Sequence, residues 1–327
     1  MGEAMLVRKG GAALRGLVVI TPPDKLQYYN GELPDMEGII VGAQFGTNTI
    51  PLHDTAWTYS PTRALEPTDT SILISATIGR QTKTVGVPIT VENFTSNLND
   101  NSWAQIARAA EVGIADQIWN IGDVKYDYYD GNYIGFRIIG FGHDYLDETD
   151  AKYNDASYNG NTKKAAITFQ AETAFGRFGM NLTSTQIGGW NASNMRVTKM
   201  PEDIALLPAD LQAVMRTVKK YACGGGSGDT NDKNIVKSAD ALFLLSAFEM
   251  VTSTNEASQY EKNYTSIYEW YADGNPLQKG NYKEWLRSCH APRLCSTESH
   301  FCDITTSNNV SDDLAGNKYD YYPAFCV

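Results

Sequence analysis

Five residues with metal-ligand chemistry crowd together near the end of the chain: Cys289, His290, Cys295, His300 and Cys302. Thiolate and imidazole donors a few residues apart are what a tetrahedral zinc site uses. The spacing matches no common zinc finger, however, and adjacent Cys289 and His290 make awkward joint ligands, so no metal is assigned. Acidic residues gather from Asp144 to Asp155 and at Asp312-Asp313. Their oxygens could hold calcium, but the EF-hand spacing is missing. The glycine run at 223–228, CGGGSG, lacks the Lys-Ser/Thr that a phosphate-binding loop needs next, and is read as a flexible loop. A catalytic thiol needs exposure and a stabilised thiolate. Cys326 lies in a short apolar run and Cys302 follows Phe301, so both are expected to behave as small buried hydrophobes. No catalytic residue and no cofactor emerges, and the chain is not expected to be an enzyme.

The chemistry that remains is that of binding. The chain holds 19 Tyr, and tyrosine supplies rigid amphipathic contact area while small polar neighbours adapt their hydrogen bonds. The candidate ligand-binding surface is His290, Arg293, Leu294, Ser296, Thr297, His300, Thr305, Ser307, Asp312 and Asp313, with Tyr319, Asp320, Tyr321 and Tyr322. Between Cys289 and Asn317 most residues are small, polar or turn-forming. No window holds a period of two or 3.6, which predicts a long surface loop. Such a loop needs a frame. Trp285 and Arg287 open it, and the strand Ala324 to Val327 closes it. Trp285 and Phe325 are expected to be buried, and Arg287 to hold the base through hydrogen bonds or an ion pair.

The rest of the chain must carry that frame. Residues 1 to 16 are rich in Gly and Ala and suggest a flexible leader or attachment arm. Short β-type runs with Pro and Gly between them follow at Leu17 to Thr21, Gln27 to Tyr29, Gly38 to Phe45, Ala56 to Ser60, Ser71 to Ile78 and Thr82 to Val91. That pattern argues for an antiparallel sandwich over 17–92. The polar, Asn-rich run from Glu92 to Ser102 predicts an inter-domain linker at 93–102. Trp103 to Val112 has helical spacing, with Ser102 to cap it and Gly113 to end it. Strands are expected at Ile118 to Val124, Tyr133 to Phe141 and Ala165 to Phe169, with a tyrosine-rich turn at Tyr126 to Asn132. After Pro201 a helix is expected to carry Ile204, Leu207, Leu211, Val214, Met215 and Val218, split by Pro208. Arg216, Lys219 and Lys220 then suit its C-terminal end.

Several of these stretches resemble known families. Thr21-Pro22-Pro23, Tyr28 to Glu32, Trp57 to Pro61 and Val87 to Val91 are similar to bacterial immunoglobulin-like domains. Gly189-Trp190, Met195-Arg196, Ser238-Ala239-Asp240, Trp285 to Ser288 and Pro323 to Val327 resemble C-type-lectin-like domains of phage and bacterial proteins. Among these are the variable proteins of diversity-generating retroelements, including phage tropism determinants. The resemblance implies an α+β C-type-lectin-like domain at 103–327 preceded by an all-β immunoglobulin-like sandwich, with a variable loop at 289–322. Diversification of AAC codons never yields Lys, Glu, Gln, Met or Trp. Between Cys289 and Asn317 only Glu298 belongs to that set. The fold also resembles that of formylglycine-generating enzymes, which keeps an enzyme on this scaffold as the alternative, beside a purely structural virion component.

Composition narrows the partners. At 327 residues two domains are expected. A net charge of -11 disfavours nucleic acid and anionic membrane, since both select clustered Lys and Arg. No apolar run is long enough to span a bilayer, and Arg8, Lys9 and Arg15 make a poor signal peptide. The five Cys do not suggest a disulfide framework. The expected partners are a host-cell surface protein or glycan, other virion or tail proteins, and further copies of the chain in a homo-oligomer, a trimer, on a phage tail or a bacterial surface.

Overall fold

Strict alternation in Ser71–Ile78 places Ile72, Ile74 and Ala76 in the interior and turns Leu73 outward, the signature of a strand covered on one face. The computed structural model describes residues 13–225, 232–290 and 299–327. They form a mixed α and β structure in which strand outweighs helix, divided into two compact units, Met1–Phe94 and Thr95–Val327.

The first unit contains β1 (Leu14–Thr21), β2 (Gln27–Tyr29), β3 (Ile40–Phe45), β4 (Asn48–Pro51), β5 (Thr58–Ser60), β6 (Ser71–Ile78), β7 (Gln81–Pro88) and β8 (Thr90–Glu92). Sheets β1-β3-β4 and β5-β6-β7 are antiparallel, while β2 and β8 pair in parallel. Val41, Ile72, Ile74 and Val87 from both three-stranded sheets share one core with Tyr28 and Leu65. The run expected at Thr82 to Val91 is two strands, because the chain changes partner at Ile89, whose N–H goes to Thr70. Strand β4 gave no sequence signal because all four of its residues are exposed. Of the expected leader, residues 1–12 lie outside the described residues, and Leu14 to Gly16 already belong to β1.

The polar run after Phe94 is folded rather than free. Asn101 is buried; its amide donates to the carbonyls of Thr95 and Asn97, and the Trp119 indole donates to Thr95 O. From Thr95 onward the expected linker is therefore part of the second unit. Helix α1 (Trp103–Val112) lies where its spacing puts it. Ser102 and Gln105 form a reciprocal capping box, and Gly113 stops the helix at φ 73°.

The second unit's strands are β9 (Val124–Tyr129), β10 (Asn132–Phe141), β11 (Ile167–Ala171), β12 (Gly176–Phe178), β13 (Val218–Cys223), β14 (Ile235–Asp240), β15 (Leu242–Phe243), β16 (Glu284–Cys289), β17 (His300–Ile304), β18 (Val310–Leu314), β19 (Tyr319–Tyr321) and β20 (Ala324–Cys326). They form two five-stranded sheets, β15-β20-β11-β10-β9 and β12-β19-β16-β17-β18, and the pair β13-β14. Helix α1 packs on the first sheet through Trp103, whose ring meets those of Phe136, Phe169 and Phe325.

Three expectations are corrected. The strand placed at Ile118 to Val124 begins only at Val124, and Tyr126 to Tyr129 belong to it rather than to a turn, which tightens to Asp130-Gly131. The helix split by Pro208 ends at Val214, since Met215 is extended; Val218, Lys219 and Lys220 lie in β13. Most consequentially, the expected loop from Cys289 to Asn317 contains the hairpin β17-β18. Phe301, Cys302, Asp303 and Ile304 are all fully buried. A strand covered on both faces shows no alternation, so periodicity could not announce it. Among the described residues no helix is long and apolar enough to cross a membrane.

Candidate functional site

All six residues of β16 are buried, and one of them is Arg287. Its guanidinium forks onto Glu249, with Nη1 at 2.5 Å from Oε2 and Nη2 at 2.7 Å from Oε1, and Nη1 also donates to Leu244 O at 2.8 Å. Glu249 is fixed because it closes a capping box with Ser246 at the start of the short helix Ala247–Met250. Lys220 Nζ reaches Glu249 at 3.1 Å, Tyr268 Oη at 2.8 Å and the Asp144 carboxylate. Thr168 and Tyr268 donate to Asp144 as well. The result is a buried row of alternating charge, Arg287, Glu249, Lys220, Asp144. Burial alone would raise both acids, but Lys220 and His143 hold Asp144 well below its usual range, and Arg287 and Lys220 do the same for Glu249.

A cleft of about 580 Å³ opens above this row, lined by His143, Tyr145, Lys164, Tyr264 and Ser266 among others. Every charged group at its floor is held by another side chain. The Cys326 thiol, 3.4 Å from Asp144 Oδ2, is fully buried and its pKa is pushed well up by that burial. The arrangement suits a rigid frame better than proton transfer or nucleophilic attack.

A second buried link ties distant motifs together. Asp240 accepts from the Trp190 indole at 2.9 Å and from Arg196 Nε at 2.6 Å. Gly189-Trp190, Met195-Arg196 and Ser238 to Asp240 therefore meet at one point. These motifs are visible in the sequence, whereas the partnerships of Lys220 with Asp144 and of Glu249 with Arg287 are not. A charged residue that ends up buried looks like a surface residue until its partner is known.

Trp285 is buried and donates its indole N–H to Phe178 O at 2.9 Å, and Phe325 is fully buried. The candidate surface residues divide. Tyr321 is fully buried with its hydroxyl on Asp203 at 3.0 Å, and Tyr322 and Asp320 are also buried. These three are corrected from ligand contacts to interior residues. They lie on or next to β19, which runs between β12 and β16, and a tyrosine that fills a core reads the same in sequence as one that meets a partner. Tyr319 is half-buried against Trp285 and donates to Asp313 at 2.6 Å, and Asp313 also accepts from Lys283 at 2.8 Å. Arg293, Leu294, Ser296 and Thr297 lie outside the described residues. His300, Thr305 and Asp312 are half-buried, and Ser307 is exposed in the turn of the hairpin. They share the β17-β18 edge of the sheet, with His290 buried beside it.

The Cys and His residues weighed above as metal ligands do not converge as a set among the described residues. The Cys289 thiol faces the carbonyl of Cys223 at 3.4 Å, and burial raises the Cys289 and Cys302 thiols well above their usual range. Cys295 lies outside the described residues. Searched against protein-family models, the chain matches none, and no curated protein matches it.

Asp303, under the same edge, makes the site sensitive to pH. Lys283 reaches its Oδ2 at 3.0 Å, while Oδ1 is buried without a partner among the described residues. Burial pushes its pKa up to about 6 from 3.8, against the pull of Lys283 and with repulsion from Asp313 and Asp312. Between those values the folded chain keeps a proton that the unfolded chain has lost, so stability falls as pH rises through this window. Asp303→Asn should flatten that part of the profile, a difference of up to ~3 kcal/mol. Urea unfolding of both chains at the two ends of the window measures it, and parallel profiles would refute the assignment.

Proposed function

We propose that this chain is a receptor- or ligand-binding protein of a virion or bacterial surface. Its second unit is a C-type-lectin-like domain that displays a diversified binding face, and its first unit is an immunoglobulin-like spacer. One contrast carries the reading: Arg287 is fully buried and forked by Glu249, whereas the hairpin turn a short way along the same sheet exposes Ser307 and its neighbours. A frame of that kind lets tip residues change without loss of fold. The partner is a host-cell surface protein or glycan, and a homotrimer would multiply weak single contacts into useful avidity. An enzyme on a formylglycine-generating-enzyme-like scaffold is disfavoured by the burial of Cys302 and Cys326.

The test replaces His300, Thr305 and Ser307 together by Ala, then measures melting and binding to a panel of bacterial cells. Binding is expected to fall at least tenfold, while stability changes by about 0.5 kcal/mol at exposed Ser307 and by about 1 kcal/mol at each of half-buried His300 and Thr305. Retained binding, or a collapse in melting temperature, would count against the display reading.

A further inference from the structure

We propose that Glu256, His290 and Asp312 form a divalent-cation site with one nitrogen and two oxygen donors, suited to a zinc-class ion. Three separate segments bring the donors together. His290 continues from β16 and bridges to Ala257, which places Glu256 beside it. Asp312 enters from β18, opposite Cys302 of β17. His290 is 6% exposed, yet among the described residues its Nδ1 has no partner at hydrogen-bond geometry. It lies 3.4 Å from Glu256 Oε2 and 3.4 Å from Asp312 Oδ1, and the three donor atoms all fall within 4.8 Å of one another.

A buried polar atom without a partner is costly, and native folds rarely tolerate one. A cation between the three groups removes that cost. Zinc bonds of about 2.0–2.2 Å to nitrogen and oxygen put neighbouring tetrahedral donors roughly 3.3–3.5 Å apart, which matches the two distances found. Among the described residues neither carboxylate is ion-paired with a Lys or Arg, so their charge is free to offset that of the ion. The Glu256 and Asp312 side chains are 36% and 27% exposed, which gives the ion a route in and leaves a fourth position for water. No thiolate is needed.

Full-length chain stripped by a chelator and titrated with Zn²⁺ in a calorimeter should bind one ion. Co²⁺ in its place should give visible d–d bands without a thiolate-to-cobalt charge-transfer band. Glu256→Gln, Asp312→Asn and His290→Ala should each weaken Zn²⁺ binding beyond the ~10–100-fold seen when an outer partner of a ligand is lost. The two carboxylate variants alter partly exposed groups and should melt like the metal-free parent. Absence of 1:1 binding, unchanged affinity in both carboxylate variants, or a charge-transfer band would each overturn the assignment.

Discussion

Replacing Arg287 by Met is expected to destabilise the second unit by about 3–5 kcal/mol, the cost of leaving one member of a buried ion pair unmatched. Arg287 is fully buried, and its fork to Glu249 is complemented by a bond to Leu244 O. Without it, Glu249 keeps only Lys220 as a cationic partner among the described residues, and Lys220 is already shared with Asp144. Coupled substitution should behave differently. Arg287→Met with Glu249→Met leaves Lys220 and Asp144 as a balanced pair, so the double variant should be less destabilised than the sum of the two single ones, a non-additivity typical of contacting charges. Denaturant unfolding of the four chains gives the cycle. A near-neutral Arg287→Met would show that the charge is not what fixes β16.

The second large effect is expected at Phe325. Its ring is fully buried in the middle of the first sheet of the second unit, with Trp103, Phe136 and Phe169 at 5.7, 5.3 and 5.4 Å between centroids. Three rings cannot collapse into the gap without leaving their own contacts. Phe325→Ala should therefore cost about 3–5 kcal/mol, whereas Phe325→Leu, which refills part of the volume, should cost clearly less. Thermal melts followed by near-ultraviolet circular dichroism read both. Equal losses for Ala and Leu would mean that ring geometry, not volume, sets the stability.

The sequence was most informative where one physical signal decided the outcome. Ser102, Gln105 and Gly113 are local capping chemistry, and α1 begins and ends on them. Pro208 interrupts a helix because it must, and the strands at Ser71–Ile78 and Gln27–Tyr29 follow from alternation and punctuation. Legibility failed where tertiary partners decide. Lys220 looks like a helix-terminal charge and is an interior one, because Asp144 and Glu249 arrive from 76 and 29 residues away. Phe301 to Ile304 look irregular because both faces are covered. The candidate site is half legible: the polar residues of the hairpin stand out in the sequence, but Tyr321 and Tyr322, which read as surface residues, lie inside.

The position of β20 has a consequence for how the second unit comes into being. This strand lies between β15 and β11, and it joins Thr168 to Cys326 across 158 residues of chain. Closing so long a span forfeits chain entropy before the pairing returns anything, which makes folding slow relative to local structures such as α1. Until β20 arrives, β11 has an unpaired edge and the Trp103, Phe136 and Phe169 rings lack their fourth member. A nascent chain in that state offers the backbone groups and apolar surface that recruit other chains. Expression yield should therefore depend on chaperone supply and temperature more steeply than the stability of the finished protein would suggest.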